Sequence, residues 1–172
     1  TSNIDDRLDE GENNPSDNSS PSIKLNYKSA QQQVARLLKL KGLTKEQVAG
    51  VMGNIQQESN FNPLSVDGTA STGLIQWTRI YYGGKEKTLA NVKTRIGSTI
   101  DSQITFLTNG STDRYSLWVI QSSDYITPEQ TATSFCNTVE KPGNPQLPQR
   151  IGYARHFYNE LNNPSSPLSW SK

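Results

Sequence analysis

The chain has one cysteine, Cys136, and one histidine, His156, in 172 residues. One thiol excludes an intrachain disulfide. One thiol with one imidazole excludes a Cys/His zinc site. Cys136 falls among apolar positions of a predicted helix and reads as a small core residue rather than a nucleophile. His156 precedes Phe157-Tyr158 with no acid or serine at triad spacing, so Ser-His-Asp chemistry has no support. No metal and no cofactor is expected. No run approaches the ~18 apolar residues of a membrane helix, and the first residues lack a signal-peptide pattern. Only 32% of residues are hydrophobic, and the mean hydropathy is −0.71.

The deficit is uneven. Residues 1–22 hold six of the 16 acids but one of the 17 basic residues, so 23–172 carry 10 acids against 16 Lys and Arg, a net +6. Residues 1–23 read as a flexible acidic linker, rich in Asp, Asn, Ser and Pro and without periodicity. Residues 24–162 form one compact domain, and 163–172 a Pro/Ser-rich tail. The linker, with Thr rather than Met at position 1, points to a module of something longer. A mildly basic body suits a polyanionic partner or an ordinary solvated surface. No Lys/Arg cluster resembles a nucleic-acid binder.

Helical spacing dominates the domain. Ala30, Val34, Leu37 and Leu38 mark a helix stopped by Gly42. Thr44 with Gln47 is a capping box opening a second helix, with Val48, Val51, Met52 and Ile55 on one face. Gly50 and Gly53 cost that helix stability and admit a close neighbour. Ile100, Ile104 and Leu107 mark another helix, 113–121 a short one, and Thr127-Pro128-Glu129-Gln130 a strong helix start. The last helix runs from about Pro148 to Leu161, with Ile151, Ala154, Phe157, Tyr158 and Leu161 inward. The expected class is mainly α, with room for a small β-hairpin or an ordered loop over 59–76.

One stretch carries chemistry: residues 54–77, NIQQESNFNPLSVDGTASTGLIQW. Glu58 lies near the end of the second helix, beside its core-facing side. A polar loop with Asp67 follows, then Gly73, the amide of Gln76 and the indole of Trp77. Glycoside cleavage needs a protonated carboxyl for the leaving oxygen and usually a second carboxylate. Half-burial and the negative end of the helix dipole both favour a protonated Glu58. The alternative is a solvated helix end followed by an ordinary loop.

The residues themselves decide between these. Glu58-Ser59-Asn60-Phe61-Asn62-Pro63 with Gly73-Leu74-Ile75-Gln76-Trp77 resembles the active-site signature of the lysozyme-like superfamily, which includes goose-type lysozymes and soluble lytic transglycosylases. Phe135…Val139-Glu140-Lys141-Pro142 and the later Arg150…Ala154…Tyr158 are most similar to the phage tail lysozyme family. The likeness spans roughly residues 28–161. It departs from the pattern at Glu-Lys-Pro, where that family often has Glu-Arg-Pro, and at Thr78, where goose-type lysozymes carry an Asp.

The resemblance implies a lysozyme-like helical domain cleaving the β-1,4 bond between N-acetylmuramic acid and N-acetylglucosamine in peptidoglycan. Glu58 would be the acid, oriented by Ser59. Gln76 would contact the N-acetyl region, and Trp77 would pack beneath the site or stack on a sugar. Asp67 matches an Asp that positions water, and Glu140 is the other candidate second acid, against an ion pair with Arg150 or Arg155. Tyr81, Tyr82, Tyr115 and Tyr125 are candidates to line a glycan groove. Location would be the phage tail or outside the cell, with other tail proteins bound through an upstream domain. Partners would include glycan strands but neither nucleic acid nor membrane. Three readings follow: a muramidase, a lytic transglycosylase using Glu58 alone, and a non-catalytic glycan-binding module.

Overall fold

A computed structural model describes residues 27–68, 70–78, 88–109 and 113–172. The described residues form seven α-helices and a small sheet: α1 (Tyr27–Leu40), α2 (Lys45–Ser59), β1 (Val66–Asp67), β2 (Ser71–Thr72), β3 (Trp77–Thr78), α3 (Leu89–Ile96), α4 (Ile100–Thr108), α5 (Asp113–Ser122), α6 (Pro128–Phe135) and α7 (Leu147–Asn162). A single π-helical turn, Cys136–Glu140, extends α6. The mainly helical class is as expected, and the hairpin region is a three-stranded antiparallel sheet in the order β1-β2-β3. Asp67 pairs with Ser71, and Thr72 with Trp77.

Helix α2 is the axis of the fold. It starts at the expected capping box: the Gln47 amide donates to Thr44 Oγ1 at 3.1 Å, and the Thr44 amide donates to Gln47 Oε1 at 2.9 Å. Gln47 also reaches across to α5, donating to Ser122 Oγ at 2.9 Å. The sequence pattern predicts one apolar face, yet α2 is buried from Gln47 through Gln56 on every side. Two features make that possible. Its polar side chains are satisfied: Asn54 donates to Gly50 O at 2.9 Å and Ala132 O at 3.1 Å. Its glycines let neighbouring backbones touch it. A Cβ on Gly50 would lie 2.7 Å from Ala132 N on α6, and one on Gly53 2.6 Å from Arg150 O on α7. Helices α6 and α7 therefore clamp α2, while α1 packs on α2 and α4 packs on α1.

Helix α3 carries Val92 and Ile96 inward and has no counterpart in the sequence reading. Residues 163–172, expected as a tail, fold back on the body: the Trp170 amide donates to Leu161 O at 2.7 Å, and Lys39 Nζ lies 4.8 Å over the Trp170 ring. Cys136 is buried in the core. Arg155 pairs with Glu129 at 3.0 Å on the surface.

Candidate active site

Helix α2 ends in a forced reversal. Its last turn carries Glu58 and Ser59, and the next two residues, Asn60 and Phe61, both take left-handed backbone at φ 52° and 62°. Such a conformation costs about 1–3 kcal/mol in a non-glycine residue. Phe61 offsets it by full burial and an edge contact with Phe157, ring centroids 5.4 Å apart. Burying such a ring contributes about 1.5–3 kcal/mol. The reversal turns the chain back at the helix end, where Glu58 keeps a part of its side chain open to solvent.

Two polar side chains then hold that loop against the helix end. Ser59 Oγ donates to Leu74 O at 2.7 Å. Gln103, wholly buried on α4, accepts from the Leu74 amide at 2.8 Å and donates to Pro63 O at 2.8 Å and Gly97 O at 2.9 Å. Gln76, itself left-handed at φ 60°, donates to Gly73 O at 2.8 Å and Ser65 O at 3.3 Å. Its Oε1 is buried with no protein partner. Trp77 is 1% exposed and packs edge-on against Phe106 at 5.7 Å. Its ring is buried, with no face open to a sugar.

Glu58 keeps 17% of its side-chain surface, and its Oε2 lies 3.0 Å from Nη2 of Arg150, which is 2% exposed. Burial pushes the Glu58 carboxyl above its ordinary value. Arg150 pulls it down through charge and hydrogen bond, the charge of Asp67 adds to the rise, and the net direction is upward. Asp67 stands exposed on β1, near enough for its charge to reach Glu58.

Glu140 closes the π turn just before Lys141, which is left-handed at φ 45°. The residue is half-buried, but its Oε2 is sealed from solvent with no hydrogen-bond partner. Desolvation drives its carboxyl well above the ordinary range, the charge of Glu58 adds to the rise, and Arg150 opposes it. Arg150 thus pairs with Glu58 and not with Glu140.

A half-buried acid at a helix end, a loop closing over it, and an exposed carboxylate on a small sheet follow one another along a single stretch of chain. The model of the phage tail lysozyme family matches residues 29–161. The chain belongs to that family. The family is one of lysozyme-like, peptidoglycan-degrading proteins named for phage tails. The matched segment includes Glu58, Asp67, Gln76, Trp77, Glu140 and Arg150.

The charge of Asp67 reaches Glu58, and that of Glu58 reaches Glu140. Ser59 and Gln76 serve the loop. Tyr81 and Tyr82 lie outside the described residues. Tyr115 is 6% exposed, tilted against Trp118 at 5.8 Å, and burial takes its phenol to about 12. Tyr125 is half-buried, away from Glu58 in a 440 Å³ surface groove beside Glu129 and Asn137.

Two residues escaped the sequence reading of the site, Arg150 as the partner of Glu58 and Gln103 as the loop anchor. Both leave a signal. Gln103 sits among Ile100, Ile104 and Leu107, and Arg150 aligns with Ala154, Phe157 and Leu161, so each occupies a core position of its helix stripe. Ile151, expected inward, is half-buried because Arg150 takes the interior place.

Proposed function

We propose that the chain is a muramidase hydrolysing the β-1,4 bond between N-acetylmuramic acid and N-acetylglucosamine, carried by a phage tail and aiding passage through the cell wall. The observation that carries this reading is Glu58: half-buried, held by one buried cation, with burial favouring its protonated form. A general acid needs both a retained proton and a path to substrate.

In this reading Glu58 protonates the glycosidic oxygen as the C1–O bond breaks. Asp67, open to water on the rim, orients the attacking water. Glu140, with its Oε2 sealed, is the weaker candidate for that part and serves as a neutral wall behind Glu58. Gln76 and Tyr81 contact the sugar, while Ser59 and Trp77 support the site from below. The enzyme works on glycan strands outside the cell, joined to other tail proteins through an upstream segment.

The seal on Glu140 favours a second reading, in which Glu58 acts alone as acid and then base and the product is a 1,6-anhydro sugar. Mass spectrometry of released muropeptides separates the two, since hydrolysis adds one water and transglycosylation adds none. Asp67→Asn is expected to lower kcat by about 10²-fold or more if Asp67 directs water. An anhydro product with full Asp67→Asn activity would establish the second reading, and binding to peptidoglycan without release of muropeptides would defeat both.

A further inference from the structure

Arg150 is among the largest fully buried side chains of the protein. Its guanidinium is anchored on two sides before it reaches Glu58. Nε donates to Pro145 O at 2.6 Å, and Nη1 donates to Asn54 Oδ1 at 3.0 Å. Asn54 is itself fixed by donating to Gly50 O and Ala132 O, on α2 and α6. Three elements therefore define where the guanidinium sits, and the third edge, Nη2, meets Glu58 Oε2 at 3.0 Å. A planar cation held at two edges presents its third in one direction only. A buried charge is tolerated when it is paired and hydrogen-bonded, as here, but a purely structural ion pair does not need its carboxylate left partly open to solvent, as Glu58 is.

We propose that Arg150 is the positioning residue of the reaction: it fixes the orientation of the Glu58 carboxyl and stabilises the carboxylate that forms when Glu58 gives up its proton. This rests on Glu58 being the acid. In the step, the Glu58 O–H bond breaks and its proton bonds to the glycosidic oxygen. The C1–O electron pair goes to that oxygen, which leaves as a sugar hydroxyl. Positive charge at C1 is then captured by water, which gives up a proton to Asp67, or by the sugar's own C6 hydroxyl, whose proton returns to the Glu58 carboxylate. At the moment Glu58 turns anionic, Arg150 already stands at hydrogen-bond distance, so no group has to reorganise. Burial favours keeping the proton and Arg150 favours its release, two opposed influences on one carboxyl. The other titratable groups facing this pair are Glu140 and Cys136 on the π turn and Asp67 on β1.

The test is the pH profile of kcat on soluble glycan chains for wild type, Arg150→Lys and Arg150→Met, each normalised to folded protein by circular dichroism. Arg150→Met should lower kcat by about 10²-fold or more, leave KM within about threefold, and move the alkaline limb upward by roughly one unit or more, because the uncompensated carboxyl holds its proton longer. Arg150→Lys keeps the charge but not the two anchors, so its limb stays near wild type while kcat is intermediate. A structural role alone would lower folded protein and leave the limb unmoved in both variants, and that result overturns the proposal. If Arg150→Met does not fold, Arg150→Lys decides: a near-wild-type carbon-13 titration of the Glu58 carboxyl with lowered kcat supports the proposal, and a wild-type kcat defeats it. Glu58→Gln run alongside separates the two levels: full activity there removes Glu58 as the acid, whereas its loss with unaffected Arg150 variants removes only the role of Arg150.

Discussion

Gly53→Ala tests the link between helix packing and the site. A Cβ at Gly53 would stand 2.6 Å from Arg150 O, 2.8 Å from Ala154 N and 3.0 Å from Ala154 Cα. All three are backbone atoms of α7, so no rotamer change relieves the contact. Ordinary contact begins near 3.4 Å, so α7 must retreat by about 0.8 Å at the residue that bears the guanidinium. Overpacking of this kind costs about 1–3 kcal/mol, and the better helix propensity of alanine returns about 1 kcal/mol. The net expectation is a loss of up to about 2 kcal/mol, lowering Tm by up to roughly 8 °C. Activity should fall further than stability, because displacement on the 1 Å scale costs up to about 10²-fold; kcat per folded molecule should drop at least about 10-fold. Gly152→Ala, on the same helix with nothing within 4 Å of the new Cβ, should instead gain roughly 0.5–1 kcal/mol with unchanged activity. Thermal melts and muropeptide release rates for both variants give the answer. A Gly53→Ala protein as stable and active as Gly152→Ala would refute the reasoning.

The sealed Glu140 makes a stability prediction with a definite sign. Its folded carboxyl titrates well above the ordinary 4.5, so the fold binds a proton that the unfolded chain has lost. Stability from this group is complete below about pH 4.5 and is lost as pH rises toward the folded value. The Tm of Glu140→Gln minus that of wild type should therefore grow with pH above 4.5, and a flat difference would contradict the seal. Gln103→Leu strands the Leu74 amide and the Pro63 and Gly97 carbonyls, which should cost about 3 kcal/mol and lower Tm in a calorimetric scan by roughly 6–12 °C. A Tm within 2 °C of wild type would show that these groups find other partners.

What the sequence makes legible here is what is locally encoded. Thr44 and Thr127 announce their helices because a capping box is read from four neighbouring residues, and both boxes form as expected. Glu58 is legible from the short motif around it. The strands are not, because two residues each are too few to show a period of two. Helix α3 hides in the same way: eight residues with Leu89, Val92 and Ile96 give one apolar edge and little more. Arg150 and Gln103 are hidden for another reason. Their burial depends on partners 96 and 29 positions away in the chain, so residue type alone places them on the surface. Trp77 could be read as packed or as stacking, and only the position of Phe106 behind it decides.

The central claim is that the proton on Glu58 breaks the glycosidic bond. Glu58→Gln keeps the size of the side chain and its hydrogen-bonding reach to Arg150, and it removes that proton donor. The decisive measurement is the initial rate of muropeptide release from purified peptidoglycan, per folded molecule, for wild type and Glu58→Gln. The account predicts a loss of about 10²–10⁴-fold with melting behaviour preserved, whereas a rate within a few-fold of wild type would contradict it.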